Sequence, residues 1–112
     1  MINIEKQGRI DIITFNTDKI NALIAEDLLN EINKVLDNSH PRVILDLKGI
    51  QYIDSTGFAC FLSACKTAKN NFGILRFASP EPEVSKLFET LKLNTIFEIF
   101  ENLNDCISSF RF

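Results

Sequence analysis

The chain has 112 residues, 46% of them apolar and 24% charged, which is enough for one hydrophobic core and too few for two ordinary domains, so residues 1–112 read as a single globular domain. Its 12 basic residues are scattered among 15 acidic ones at a net charge of −3, a pattern that argues against a phosphate-backbone footprint and against nucleic acid as a partner. The longest nearly apolar run, Phe58 to Cys65, falls far short of the roughly 20 residues of a bilayer span, and Met1-Ile2-Asn3-Ile4-Glu5 does not open a signal peptide. The expected location is the cytosol, with no direct membrane insertion.

In chain order, Ile2-Ile4 and Ile10-Ile12 alternate apolar with polar around Gln7-Gly8, the signature of a hairpin whose second strand closes at Phe15. From Ala22 the period lengthens: Ile24, Ala25, Leu28, Leu29, Ile32, Val35 and Leu36 stripe a helix ending near Asp37-Asn38, followed by a connector at Ser39-His40-Pro41. Val43-Ile44-Leu45-Asp46-Leu47 is short, β-branched and almost wholly apolar, as expected of a strand at the centre of a parallel sheet. After Gly49 to Ile53 and the turn Asp54-Ser55-Thr56-Gly57, a second helix carries Phe58, Phe61, Leu62, Cys65 and Ala68 on one face and stops at Asn70-Asn71-Phe72-Gly73.

Ile74 to Phe77 is the next strand, and Pro80-Glu81-Pro82-Glu83 starts a third helix striped by Val84, Leu87, Phe88 and Leu91. Asn94-Thr95 reads as a loop and Ile96 to Phe100 as a last strand; Asn102 then caps a final helix with Leu103, Cys106, Ile107 and Phe110 on one side. The order ββα-βα-βα-βα implies right-handed crossovers and an α/β fold: a small mixed, mostly parallel sheet of four or five strands with about four helices.

The turn Asp54-Ser55-Thr56-Gly57 lies where open α/β sheets collect ligands, between the central strand and a helix N-terminus. Asp, Ser or Thr there can each cap the helix, accepting its first unpaired N–H groups. The same place tolerates a phosphate on Ser55, which adds about −1.5 to −2 charges beside the positive end of the helix dipole. A partner packed on the turn would meet repulsion and a desolvation cost, so the phosphate would switch binding. On this reading Ser55→Ala removes roughly 1 kcal/mol of capping and leaves a permanently binding form.

The run Val43 to Leu47 followed by Ile53-Asp54-Ser55-Thr56-Gly57 resembles STAS domains of the anti-sigma-factor antagonist family, whose hallmark is a D-S-[ST]-G turn after the central strand. The likeness extends through Ser79-Pro80, Val84, Lys86-Leu87-Phe88-Glu89 and Ile96 to Phe100. It implies a domain that binds an anti-sigma factor which is also a serine kinase, is inactivated when that kinase phosphorylates Ser55, and is reset by a serine phosphatase. By the resemblance Ser55 is the phosphoacceptor, while Asp54, Ser55, Thr56, Gly57 and Asn21 contact the partner, Gly57 by letting the backbone turn closely. The family's acidic residue before the first helix falls on Asn21 here, a departure with Asp18 nearby. No cofactor is implied for this chain; ATP and metal belong to the kinase.

Other readings have less support. His40, the only histidine, precedes the central strand while Ser55 follows it, so at ~3.3 Å per residue the two lie on the order of 20 Å apart, too far for a nucleophile and its base. The turn offers one carboxylate where an aspartic-protease site needs two, and Asp46 reads as a strand residue meeting backbone or solvent. Cys60, Cys65 and Cys106 form no C-x-x-C pair and read, with His40, as no metal site but reduced core positions and a surface turn. Of the ten phenylalanines, Phe72, Phe97 and Phe112 could be partly exposed and supply an apolar patch. The alternative of another class is a constitutive STAS subunit of a membrane transport complex, never phosphorylated.

Overall fold

The computed structural model describes residues 1–111. The elements are β1 (Ile2–Gln7), β2 (Ile10–Phe15), β3 (Lys19–Ile20), α1 (Ala25–Leu36), β4 (Arg42–Asp46), β5 (Tyr52–Ile53), α2 (Ser55–Asn70), β6 (Ile74–Ala78), α3 (Pro82–Thr90), β7 (Ile99–Phe100) and α4 (Leu103–Ser108). Five strands form one sheet in the order β1-β2-β4-β6-β7, antiparallel only between β1 and β2. The fold is the expected mixed, mostly parallel sheet with four helices.

The hairpin forms because Gly8 takes the first central position of a two-residue loop at φ +62°, the left-handed value a primed turn requires. Strand β4 is central, and Val43, Ile44 and Leu45 are wholly buried. Successive side chains leave a strand on opposite faces, so Val43 and Leu45 enter one core while Ile44 enters another. The larger core, under α1, α2 and α3, centres on Phe77, whose ring lies 4.8 Å from that of Phe97 and 5.2 Å from that of Phe61. The smaller one, under α4, joins Ile10, Ile12, Ile44, Ala78, Cys106 and Phe110.

Several boundaries differ from the sequence expectations. Helix α1 starts at Ala25 rather than Ala22, because the Asn21 side-chain oxygen accepts from Leu23 N and the Asn21 carbonyl from Ile24 N and Ala25 N, holding residues 22–24 in a turn. The last strand shrinks from Ile96–Phe100 to Ile99–Phe100, preceded by a 3₁₀ turn at Leu93–Thr95 that directs Ile96 to the surface. Phe72 is 79% exposed as expected, whereas Phe97 is buried among other rings; Phe112 lies outside the described residues. Asp46 is a strand residue meeting backbone, as expected: it is buried, with Oδ1 accepting from Lys48 N at 3.2 Å.

Candidate functional site

The two shortest strands position the site. β3 and β5 pair in parallel as a separate small sheet, Lys19 opposite Tyr52 and Ile20 opposite Ile53. The Asp18 carbonyl accepts from Gln51 N (2.6 Å) and the Ile20 carbonyl from Asp54 N (3.1 Å). This ladder brings the start of α1 beside the start of α2, so that Asn21 follows β3 where Asp54 follows β5.

Asp54 is the N-cap of α2, extended at φ −93° and ψ −176°. Its Oδ1 accepts from the backbone N–H groups of Thr56 (2.9 Å) and Gly57 (3.2 Å) and from the Thr56 hydroxyl. The Thr56 hydroxyl, with the backbone N–H groups of Gly57, Thr56 and Ala22, holds the Asp54 carboxyl below its ordinary value of 3.8, against the upward push of desolvation. Asp54 therefore remains ionised at neutral pH. Thr56 is half-buried with its hydroxyl committed to Asp54.

Ser55 is the first residue of α2 and is exposed. Among the described residues neither its hydroxyl nor its backbone N–H has a hydrogen-bond partner. Asp54, not Ser55, does the capping, so the expected loss of capping in Ser55→Ala does not follow. No acidic residue lies in the first turn of α2 after the cap. The positive end of the helix meets solvent at Ser55.

Gly57 is required for a reason other than turn geometry. Its backbone is helical, but a Cβ there would stand 2.6 Å from Ile53 Cγ2 and 2.9 Å from Ile20 Cγ2. Bare backbone at Gly57 lets α2 sit directly on the β3–β5 ladder. Gly57 is buried, so it shapes the corner from beneath, and Asn21 is half-buried with its side chain turned to the start of α1.

Two neighbours of the site carry no mark in the sequence. Leu23 (89% exposed) and Tyr52 (52% exposed) stand on the segments that carry Asn21 and Asp54, forming an apolar fringe to a polar corner. The signal was weak: β3 and β5 are two residues each, and strands that short leave no periodicity. Asp18, Lys19, Asn21, Gln51 and Tyr52 line a shallow depression beside them.

His40 is remote from this corner. It precedes β4, its ring lies 6.0 Å from that of Phe72, and Phe72 follows the far end of α2, whose 16 residues span ~24 Å. Ser55 thus has no imidazole beside it. Burial pushes the Cys60 and Cys65 thiols up to about 11 and the Cys106 thiol up to about 12, so all three stay protonated. Among the described residues no three His, Cys, Asp or Glu side chains converge as a metal site, and no helix is long and apolar enough to cross a membrane.

Comparison with known proteins fits this architecture. The family model described as STAS domain matches residues 1–106. A putative anti-sigma factor antagonist, BtrV of Bordetella bronchiseptica, is 28% identical over 92 residues, covering 82% of this chain and 79% of that protein. The structure of an anti-sigma-factor antagonist (STAS) domain protein from Planctomyces limnophilus superposes with a TM-score of 0.87 at 12% identity, over 96% of each chain. The Bacillus cell fate determinant SpoIIAA in its phosphorylated form superposes with a TM-score of 0.69 at 16% identity, over 99% of this chain and 100% of that one. The chain belongs to the STAS domain family, a fold it shares with anti-sigma-factor antagonists and with a sulfate transporter family protein from Wolinella succinogenes (TM-score 0.72 at 13% identity, over 92% of this chain and 85% of that one).

Proposed function

We propose that this protein is a binding switch of the anti-sigma-factor antagonist type: unphosphorylated, it binds an anti-sigma factor that is also a serine kinase, and phosphate on Ser55 ends that binding until a serine phosphatase removes it. The observation that carries this reading is the state of Ser55, exposed and unbonded at the open end of α2 beside a fixed carboxylate. A kinase needs a hydroxyl it can reach, and Ser55 offers one while Thr56 does not. The ionised Asp54 next to it adds to the charge of the phosphoryl group, so the modified corner would present a concentrated negative field.

In this reading the docking surface is the corner formed by Asp54, Ser55, Thr56 and Asn21, set in place by Gly57 and flanked by Leu23 and Tyr52. The protein works by binding, with no catalytic group of its own, and acts in the cytoplasm. Affinity capture from the native cell extract with wild-type, Ser55→Ala and Ser55→Asp baits, followed by mass spectrometry, tests it. A kinase retained by the Ala bait and lost from the Asp bait, together with phosphate on Ser55 of recovered wild type, is the expected result. Equal retention of one transport subunit by all three baits would instead make this a constitutive subunit of a membrane complex.

A further inference from the structure

The edge of the main sheet carries a pattern unconnected with Ser55. Strand β1 is six residues long and pairs on one side only, with β2. Asn16 N donates to Met1 O at 2.8 Å, and in an antiparallel pair such bonds recur at every second residue. Asn3, Glu5 and Gln7 therefore face β2, and Ile2, Ile4 and Lys6 turn their N–H and C=O groups outward. None of those outward groups has a partner among the described residues. Ile4 is 54% exposed on this edge, and Ile2 and Ile4 line a depression with Val35 and Glu31 of α1. The lysine that could guard the edge is drawn back over its own hairpin, with Lys6 Nζ 3.2 Å from Asp11 Oδ1.

We infer that this edge takes a second copy of the same chain, β1 against β1 in antiparallel register about a two-fold axis at Ile4, giving one continuous sheet across two protomers. The strand is self-complementary in that register. A two-fold axis normal to the sheet places residues opposite one another only in even registers centred on one residue. Centring on Asn3 pairs only Ile2 to Ile4 of the strand, three residues where Ile4 pairs five, while centring on Glu5 sets Glu5 opposite Glu5 and centring on Lys6 sets Lys6 opposite Lys6, both repulsive. Centring on Ile4 sets Ile4 against Ile4, Asn3 against Glu5 and Ile2 against Lys6, so no like charges face each other. The same register makes Ile2, Ile4 and Lys6 the hydrogen-bonded positions, which are the ones whose backbone groups point outward.

A single strand pair lies at the small end of protein interfaces, so the dimer is weak and concentration-dependent. Sedimentation velocity from roughly 10 µM to roughly 1 mM on wild type, Ile4→Lys and Ile4→Glu, with circular dichroism to establish that each variant is folded, tests the proposal. Wild type should shift toward twice the monomer mass across that range, while each variant alone, placing like charges on the axis, should dissociate at least about tenfold more readily. Mixing Ile4→Lys with Ile4→Glu should restore a dimer, because the axis residues then attract. In the wild-type dimer the amides of Ile2, Ile4 and Lys6 should gain hydrogen-exchange protection. A wild type monomeric throughout, variants that dimerise as wild type does, or a mixture that stays monomeric would each overturn the proposal.

Discussion

Two strand-to-helix turns of this molecule begin from similar ingredients and finish differently. After β5, Asp54 caps α2 through its own side chain, no acid follows in the first turn, and Ser55 stands exposed, its groups unbonded among the described residues. After β6, Ser79 is half-buried at φ +56° with its N–H bonded to Phe100 O, and Glu81 precedes α3 without a side-chain cap, its carboxylate accepting instead from Gly49 N at 2.8 Å. Pro82 and Glu83 occupy the first turn of α3, so that helix start is already charged and closed. On the proposed function, a serine at the carboxyl end of a parallel strand is therefore not enough for a switch. The turn must also leave the helix end without competing acids and the hydroxyl without a structural duty.

That contrast can be broken experimentally. The largest expected effect is on phosphate placement: incubation with the kinase of the proposed function should modify wild type once, on Ser55, with Ser55→Ala losing essentially all incorporation and Ser79→Ala losing none, as read by intact-protein and peptide mass spectrometry. Phosphate on Ser79 would dissolve the distinction between the turns. Next in size, Gly57→Val should destabilise the fold by about 3 kcal/mol in urea unfolding, since even its Cβ would clash with Ile53 Cγ2 at 2.6 Å and Ile20 Cγ2 at 2.9 Å. Partner binding should weaken with it, because the β3–β5 ladder must shift.

A smaller effect separates the charge of Asp54 from its capping role. Because the folded carboxyl titrates below its ordinary value of 3.8, it stabilises the fold above that pH, and the contribution is lost as pH falls through the depressed folded value. Asp54→Asn keeps a good capping residue but cannot titrate. Wild type should be the more stable protein at pH 7, with the gap closing below pH 3.8 in thermal melts. The smallest effect is that of Ser55→Ala, within roughly 0.5 kcal/mol of wild type, because that side chain makes no hydrogen bond among the described residues. A loss as large as a cap would mean that Ser55 shares the work of Asp54.

Much of this was legible in the chain because long elements leave a periodic trace. The run Val43 to Leu47 announced a strand buried on both faces, and the stripe of Leu28, Ile32 and Leu36 announced a helix face, since burial demands apolar residues at the spacing of each element. Asn102 was readable as a cap and is one, accepting from Asp105 N at 2.8 Å. The short pieces were not legible. Ile96 to Phe100 looks like a strand by composition, yet the 3₁₀ turn at Leu93–Thr95 rotates its first half, exposing Ile96 and burying Phe97.

The site divides the same way. The residue types of Asp54-Ser55-Thr56-Gly57 and their place before a helix could be read directly, but which side chain caps could not, because Asp, Ser and Thr are all competent and only the extended backbone of Asp54 aims one oxygen at Thr56 N and Gly57 N. Chain order and local pattern alone thus determined the order of the longer strands and helices, the central strand and the candidate turn, but not β3 or β5, since each of the former depends on neighbours within a few residues. Tertiary structure decided that Asn21 lies beside Asp54, that Gly57 is there to admit two isoleucines, and that β1 keeps an open edge. These are contacts between segments far apart in the chain, and no local periodicity encodes which segments meet.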